Sequence, residues 1–368
     1  TSQSLELILG TPTKLIISTS ASSAVNRSNF GTQPVIEIQD AAGNRVLDSA
    51  DEVTATLNLT PRGNRDYLKA YTVSATAGVA TFSNLAMVVD PNQVYRLNFS
   101  YGSNQHTAEV DLQVTHADAE YLGISTSPVA GNKTGDPLQQ SPVIVVYDFD
   151  GNRTTSLTGA TISASVVVGS GYIESAGLAS VTNGIATFQN LTLVALPGEN
   201  QQLQFTLLGA VNSASAAVLS PNSPHLVLTF ADPARLKVST EPSSNVVAAA
   251  LLGTQPQVRV EDRYGNLVPN FVGSIDVTVS GVNGRLVDSS DATVASVSAL
   301  VANGVATYNS LRIEGSPQTT YNLQFSSNGL TGTSSANISI SPAAVASIVL
   351  ETQPVGGVTA ESLSVQPV

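Results

Sequence analysis

The sequence QPVIEIQDAAGN, residues 33–44, is the first of three related segments that recur along this chain. It returns as SPVIVVYDFDGN at 141–152 and as QPQVRVEDRYGN at 255–266, and a fourth copy begins with QPV at 366–368. The prolines of these segments are Pro34, Pro142, Pro256 and Pro367, at spacings of 108, 114 and 111 residues. A regular spacing of this kind predicts a structural unit of about 110 residues, repeated in tandem.

Two further motifs recur in the same order within each unit. The first reads GVATF at 78–82, GIATF at 184–188 and GVATY at 304–308. The second reads YRLNF at 95–99, QQLQF at 201–205 and YNLQF at 321–325. Three ordered motifs in three copies identify the repeat as the dominant feature of the sequence.

The motifs alternate with a period of two residues, which is typical of a strand with one buried face. Ile36 and Ile38 are apolar in the first copy, and their counterparts in the other copies are also β-branched, while Glu37 between them varies. No comparable helical periodicity occurs. In the first unit we predict seven strands joined by short connections, and we expect all of them to be antiparallel. They lie near 14–18, 35–39, 53–59, 71–74, 79–82, 94–99 and 109–114.

A turn of the form Asp-x-x-Gly-Asn follows the first motif in every copy. We predict that the aspartate caps local backbone amides and that the glycine supplies a positive φ. The structural turn residues are therefore Asp40, Gly43 and Asn44, then Asp148, Gly151 and Asn152, then Asp262, Gly265 and Asn266.

The repeat predicts the domain boundaries. Residues 1–10 correspond to the last strand of a preceding repeat, and 347–368 to the first strands of a following one, so we interpret the chain as part of a longer array. The complete units are repeat 1 (13–115), repeat 2 (121–230, with an insertion near 211–224) and repeat 3 (235–341). The linkers between them are short and contain Pro or Ala. The predicted fold is all-β: tandem immunoglobulin-like antiparallel β-sandwiches that form an extended rod.

Composition excludes several classes of function. Only 11% of the 368 residues are charged, and 27 acidic residues against 15 basic ones leave a net charge of −12. Nucleic-acid binding needs clustered cations, so it is not expected. The absence of Cys excludes disulfides, thiolate catalysis and Cys-ligated metals. No apolar run approaches the length of a membrane span, so we expect no membrane insertion.

No catalytic or cofactor motif stands out, and we predict that the chain is not an enzyme. The three histidines, His106, His116 and His225, occupy no repeated position. Calcium is the alternative to a cofactor-free chain, because Asp148–Asn152 resembles the first half of a calcium loop. The candidate metal ligands are Asp148, Asp150, Asn152, Asp118, Glu120 and Asp232. The simpler interpretation of the turn is a polar cap without a metal.

With these motifs in view, the unit resembles the tandem immunoglobulin-like repeats of large bacterial surface proteins. ETQP at 351–354 and NGVATY at 303–308 match the pattern of those repeats most closely. There is a more distant resemblance to the bacterial immunoglobulin-like domains of the invasin and intimin class. The resemblance implies an extracellular, cell-surface location and the role of a stalk, coat or filament body.

Two functional hypotheses follow. In the first, the chain is a structural segment whose partners are neighbouring repeats of the same longer chain, with self-assembly into a filament or surface layer as a variant. In the second, it is an adhesin whose repeats bind glycan or protein, and Val211–Pro224 is the expected binding segment. Tyr67, Tyr71, Tyr101 and Tyr172 are candidates for a sugar-binding aromatic surface.

Overall fold

The computed structural model describes residues 10–57, 67–102, 106–129, 133–212, 214–288, 290, 292–342, 344–345 and 347–353, without the side chains of His106 and Val211. Every regular element among these residues is a β-strand, and none of them belongs to a helix that is long and apolar enough to cross a membrane. The chain divides into two compact units, Thr1–Thr229 and Phe230–Val368.

Repeat 1 is an immunoglobulin-like sandwich. Its strands within the described residues are β1 (Lys14–Thr19), β2 (Ala24–Val25), β3 (Val35–Gln39), β4 (Glu52–Leu57), β5 (Tyr67–Lys69), β6 (Thr72–Ser74), β7 (Val79–Thr81), β8 (Ala86–Val88), β9 (Gln93–Tyr101) and β10 (His106–Thr115). One sheet has the order β1-β3-β7 and the other β2-β10-β9-β4-β6, while β5 pairs with β8. Ile36 and Ile38 are fully buried and Glu37 is half-buried, as the period-two pattern predicts.

Repeat 2 has the same architecture. Its strands are β11 (Tyr121–Thr126), β12 (Val143–Tyr147), β13 (Thr161–Val168), β14 (Tyr172–Ser175), β15 (Leu178–Ser180), β16 (Ile185–Thr187), β17 (Thr192–Val194), β18 (Asn200–Val211), β19 (Ala217–Leu219) and β20 (Leu226–Val227). The sheet β11-β12-β16 faces the sheet β15-β13-β18-β19, with β20 also paired to β18, and β14 pairs with β17.

Repeat 3 joins its two sheets through one hairpin. Its strands are β21 (Pro233–Thr240), β22 (Asn245–Val247), β23 (Gln257–Asp262), β24 (Ser274–Ser280), β25 (Arg285–Val287), β26 (Thr293–Val294), β27 (Val297–Ala302), β28 (Val305–Thr307), β29 (Arg312–Glu314), β30 (Thr320–Ser326), β31 (Thr333–Ser334) and β32 (Ile338–Ser341). The order is β21-β23-β28-β27-β24-β30-β32-β22, with β31 beside β30, and a second sheet is β26-β25-β29. The turn between β27 and β28 is Asn303-Gly304, with φ of 50° and 79°, as a type I′ turn requires.

The expectation that all strands are antiparallel is wrong at one edge of the sandwich. In repeat 1, β2 runs parallel to β10, with Ala24 opposite Val114, and in repeat 3, β22 runs parallel to β32. A parallel bridge joins Lys133 to Thr229 at the same place in repeat 2. The reason lies in the path of the chain. After β1 it crosses from the first sheet to the opposite one, where β2 lies beside β10, the last strand, and runs in the same direction.

The second and third sequence motifs meet in the core of every repeat. Phe82 contacts Phe99 with ring centroids 5.5 Å apart, and Phe188 contacts Phe205 at 5.0 Å. In repeat 3 the corresponding pair is Tyr308 and Phe325, at 5.7 Å. The Tyr308 hydroxyl donates a hydrogen bond to the Ile275 carbonyl at 2.7 Å, and burial raises the pKa of Tyr308. Each sandwich is thus built around one tilted aromatic pair.

The extra residues of repeat 2, Val211–Pro224, contribute one short strand to the sheet. Ala217–Leu219 forms β19, which pairs back on β18, and β20 pairs with β18 further along. The last strand is therefore split into two pieces. Between them, the hydroxyls of Ser220 and Ser223 accept hydrogen bonds from backbone N–H groups of β18 at 3.0 and 2.9 Å.

The predicted partial repeats fall mainly outside the described residues. The strand at 1–10 has only Gly10 inside them, and 354–368 lies beyond them. Residues 347–353 are described and form no strand. In repeat 1, the first strand, β1, is held by pairing with β3.

Candidate functional site: the turns and the junction of repeats 1 and 2

In each repeat the aspartate of the Asp-x-x-Gly-Asn turn binds the turn from inside. Asp148 Oδ1 accepts hydrogen bonds from the backbone N–H groups of Asp150 (3.0 Å) and Asn152 (2.9 Å), and Oδ2 accepts one from the Asn152 side chain (3.2 Å). Gly151 has a φ of 82°, which glycine adopts without a Cβ clash.

The same geometry recurs in the other two turns. Asn44 donates from its backbone and side chain to Asp40 at 2.9 and 3.1 Å, and Asn266 donates to Asp262 at 2.9 and 3.0 Å. The glycines at 43 and 265 have φ of 90° and 87°. The asparagine that ends each motif therefore donates to the carboxylate twice, once from its backbone N–H and once from its side-chain amide.

The aspartates also hold the linker that enters their own repeat. Asp262 Oδ2 accepts a hydrogen bond from the Ala231 N–H at 2.9 Å, and Asp148 Oδ2 accepts a longer one from the Ala117 N–H at 3.4 Å. The backbone N–H of Gly10 makes the corresponding bond to Asp40. All three carboxylates are buried. Each linker is therefore attached to the turn of the repeat that follows it.

These hydrogen bonds change the acidity of the carboxylates. Burial raises the pKa of Asp262, but hydrogen bonds from Asn266, and from the backbone of Ala231 and Tyr264, outweigh burial and hold that pKa below its ordinary value. For Asp40 the backbone hydrogen bond from Asn44 is the largest cause, and the pKa is again lowered. Both groups therefore favour folding as carboxylates.

An acid titration tests this role. Because the folded pKa of Asp262 is lowered, its contribution to stability is fully present above the ordinary value of 3.8 and is lost as the pH falls below it. We expect Asp262→Asn to destabilise repeat 3 by about 1–3 kcal/mol at pH 7, and the difference to shrink below pH 3.8. Urea unfolding of both proteins at pH 7 and near pH 3 measures this. A difference that does not change with pH would contradict it.

Repeats 1 and 2 contact each other through Asp150. The Arg27 guanidinium binds its carboxylate through two nitrogens, of which Nε lies 2.6 Å from Oδ2, and Asn26 Nδ2 donates to Oδ2 at 2.8 Å. Arg27 also lies over the Phe149 ring, 4.7 Å from its centroid. Hydrogen bonding to Asp150 raises the pKa of Arg27. A bidentate pair that is only partly exposed holds two groups in a fixed orientation.

Repeat 1 orients Asn26 before it meets Asp150. Its side chain is fully buried, and its Oδ1 accepts a hydrogen bond from the Val89 N–H at 3.0 Å. Its backbone N–H donates to the Thr115 carbonyl at 2.8 Å, beside the parallel pair of β2 and β10. The side-chain amide is thus fixed with its NH₂ group directed at repeat 2.

His116 forms the second contact of this junction. Its Nε2 lies 3.0 Å from the backbone nitrogen and 2.5 Å from the hydroxyl of Ser156, and its Nδ1 lies 2.8 Å from the Ala117 carbonyl. A backbone N–H can only donate, so Nε2 accepts and Nδ1 carries the proton. The imidazole lone pair is therefore engaged by a structural hydrogen bond, and the partner of Nδ1 is a carbonyl where a Ser-His-Asp triad has a carboxylate.

The candidate metal ligands are not brought together. Asp148 is directed at amide hydrogens and Asp150 at Arg27, while Asp118 is exposed in the linker. Asn152 donates to Asp148 with its side-chain nitrogen. Glu120 and Asp232 lie in separate linkers. In the part of the chain that the structure describes, no group of three His, Asp or Glu side chains is placed to hold a metal ion.

Sequence reasoning singled out Asp150 for a different role and missed Arg27, Asn26 and Ser156. Arg27 lies between the first two predicted strands, 14–18 and 35–39, in a stretch without alternation, and its partner is 123 residues away. A local signal was present only for Asp150, which replaces Ala42 and Tyr264 of the other copies. An acidic residue found in only one copy of the turn indicated that this turn has a contact the other two lack.

The comparisons with known proteins add likenesses of structure only. No protein-family model and no curated protein matches the chain. It is similar to a three-immunoglobulin-domain segment of titin in an E-to-A mutated variant (9% identity, TM-score 0.33, 90% of this chain and 99% of that one). It is also similar to the FN1-FN3 domains of chicken CNTN1 (12%, 0.29, 90% and 97%). A third similar structure is a beta-glycosidase from Bacteroides vulgatus (12% identity, TM-score 0.25). The match covers 61% of this chain and 25% of that one. The fold described above stands on its own strand order.

Proposed function

We propose that this chain is a structural segment of an extracellular bacterial surface protein, in which serial immunoglobulin-like domains form a stalk, coat or filament body. The observation that carries the proposal is the junction of repeats 1 and 2. There a buried turn aspartate holds the linker, and the Arg27–Asp150 pair and His116 attach one sandwich to the next. Such contacts keep consecutive domains in one orientation. The bacterial and cell-surface parts of the proposal come from the resemblance of the repeat motifs.

The edge strands suit a protein that is stretched from its two ends. In repeat 1, β2 lies near the start of the chain path and pairs in parallel with β10, the last strand. Tension applied at the two ends of such a repeat slides the two strands along each other, so their hydrogen bonds must break together. Repeat 3 has the same arrangement in β22 and β32. The proposed role needs no catalysis, and the contact between His116 and Ser156 serves the junction, because the imidazole lone pair accepts the Ser156 backbone N–H.

Immunogold electron microscopy on the producing cells, with an antibody against this chain, tests the proposal. We expect label outside the cell envelope, along threads, an ordered coat or filaments. Isolated threads would favour a stalk, and a regular lattice or fibre would favour the self-assembling variant. Label confined to the cell interior would contradict the proposal.

A further inference from the structure

A groove of about 640 Å³ lies at the junction of repeats 1 and 2, inside the first compact unit. Repeat 1 contributes the turn that leads into β9, and repeat 2 contributes β12 and the residues after its Asp-x-x-Gly-Asn turn. The lining residues are 90–93, Val145, Tyr147, Asn152, Arg153 and Thr155. Neither repeat alone forms this groove, so it depends on the fixed junction.

The floor of the groove is apolar and aromatic. Val145 is on the outer face of β12, since Ile144 and Val146 point into the core, yet it is only 7% exposed. Pro91 of repeat 1 is also buried. Tyr147 follows on the same face of β12, and the Tyr121 ring stacks on it at a centroid distance of 5.2 Å and an angle of 25°. The Tyr147 ring that lines the groove is therefore held in place by Tyr121.

The rim is polar, and one of its side chains, Asn152, is already bonded to Asp148. Within the described residues, the side chains of Asn92, Gln93, Arg153 and Thr155 form no hydrogen bond or ion pair with the rest of the protein. Asn92 has a φ of 67° in the turn that leads into β9. Around the apolar floor, the planar amides and the hydroxyl can both donate to and accept from a polar ligand, and the guanidinium can donate to it.

We propose that this junction groove binds a short, neutral oligosaccharide. The apolar face of a sugar ring would lie on Val145 and Tyr147, and its hydroxyls would bond to the rim. The net charge of −12 disfavours polyanions. An extended peptide is disfavoured because β12 is already paired on both sides, by β11 and β16, and offers no free edge for strand addition.

The aromatic floor of this site belongs to this junction and not to the repeat in general, although the rim arginine has a counterpart in repeat 1. Tyr147 corresponds to Gln39 and Glu261 in the other copies of the motif, and Arg153 corresponds to Arg45 and Leu267. The proposal therefore predicts one binding site among the described repeats. It also places ligand binding away from Val211–Pro224, in which Ala217–Leu219 is a strand of the sheet.

Titration of the whole chain with cellotetraose, maltotetraose, chitotetraose and mannotetraose, followed by NMR, tests the proposal. We expect at least one of these to bind with a dissociation constant of about 0.1–1 mM, as a shallow polar site allows, and to shift the signals of Gln93, Tyr147 and Arg153. Gln93→Ala and Arg153→Ala are each expected to weaken binding about tenfold, which is the loss of about 1.4 kcal/mol. The matched control Arg45→Ala, at the equivalent turn position of repeat 1, should bind as the parent does.

Three results would overturn the proposal. Absence of binding by all four sugars at 10-fold the expected constant (about 10 mM) would reject it, as would binding that survives both rim substitutions. Stronger binding of a tetragalacturonate than of every neutral sugar would reject the neutral class. Asp150→Ala, which leaves every groove residue in place and removes the junction ion pair, should also weaken binding. None of these outcomes bears on the immunogold result, so the two proposals fail separately.

Discussion

Replacing Phe205 with alanine is expected to destabilise repeat 2 by about 3–5 kcal/mol, the cost of emptying a large aromatic site in a packed core. Phe205 is fully buried and its ring contacts Phe188, so the substitution removes both burial and an aromatic pair. Because the chain has no Trp, native-state hydrogen exchange of the repeat 2 amides is the suitable measurement. Those amides should lose protection, while those of repeat 3 should keep it.

Phe149→Ala is the matched control for this prediction. The same residue type is removed from the same repeat, but Phe149 is 59% exposed and its recorded ring contact is with Arg27. We expect a cost of about 0.5–1 kcal/mol, the size of an exposed cation–π contact. Equal effects of the two substitutions would contradict the assignment of the Phe188–Phe205 pair as the centre of the core.

Replacing Asp148 with alanine is expected to have the second-largest effect, about 2–4 kcal/mol in the free energy of unfolding of repeat 2. The side chain is fully buried and accepts hydrogen bonds from Ala117, Asp150 and Asn152. Its removal leaves these N–H groups without their acceptor in a site with little access to water, and each such group costs about 1–3 kcal/mol. Native-state hydrogen exchange of the repeat 2 amides measures the loss.

Asp136→Ala is the control for Asp148, since this aspartate of the same repeat is exposed. Its substitution should change stability by no more than about 0.5 kcal/mol. If Asp148→Ala behaved like Asp136→Ala, the turn would not depend on its carboxylate, and the attachment of the linker to the turn would need another explanation.

The sequence predicted those elements whose signals are local. The strand expected at 35–39 is β3, and the strand at 94–99 lies inside β9, because alternation with a period of two is written directly into those residues. The Asp-x-x-Gly-Asn turn is equally local, since its carboxylate, glycine and asparagine lie within five consecutive positions. The core pair of Phe82 and Phe99 follows from the same alternation, which places both side chains on inward faces.

Elements defined by distant partners could not be predicted in this way. Ala24–Val25 is a strand because it pairs with Val114 and Thr115. Two residues are too few to show an alternating pattern that would predict this pairing. Ala86–Val88 is buried at every position, so it shows no alternation. The junction contacts have the same character: Arg27 meets Asp150 only after both sandwiches have folded and the linker has been fixed between them.

The central claim is that repeats 1 and 2 hold one orientation through the junction. Because the chain has no Cys, Tyr71→Cys and Leu178→Cys introduce two unique labelling sites, each on an exposed position of one repeat. Double electron–electron resonance between nitroxides at these sites should give a single narrow distance distribution. Adding Arg27→Ala and Asp150→Ala should broaden it, with both sandwiches still folded. A broad distribution in the parent, or a narrow one that the two substitutions leave unchanged, would contradict the account.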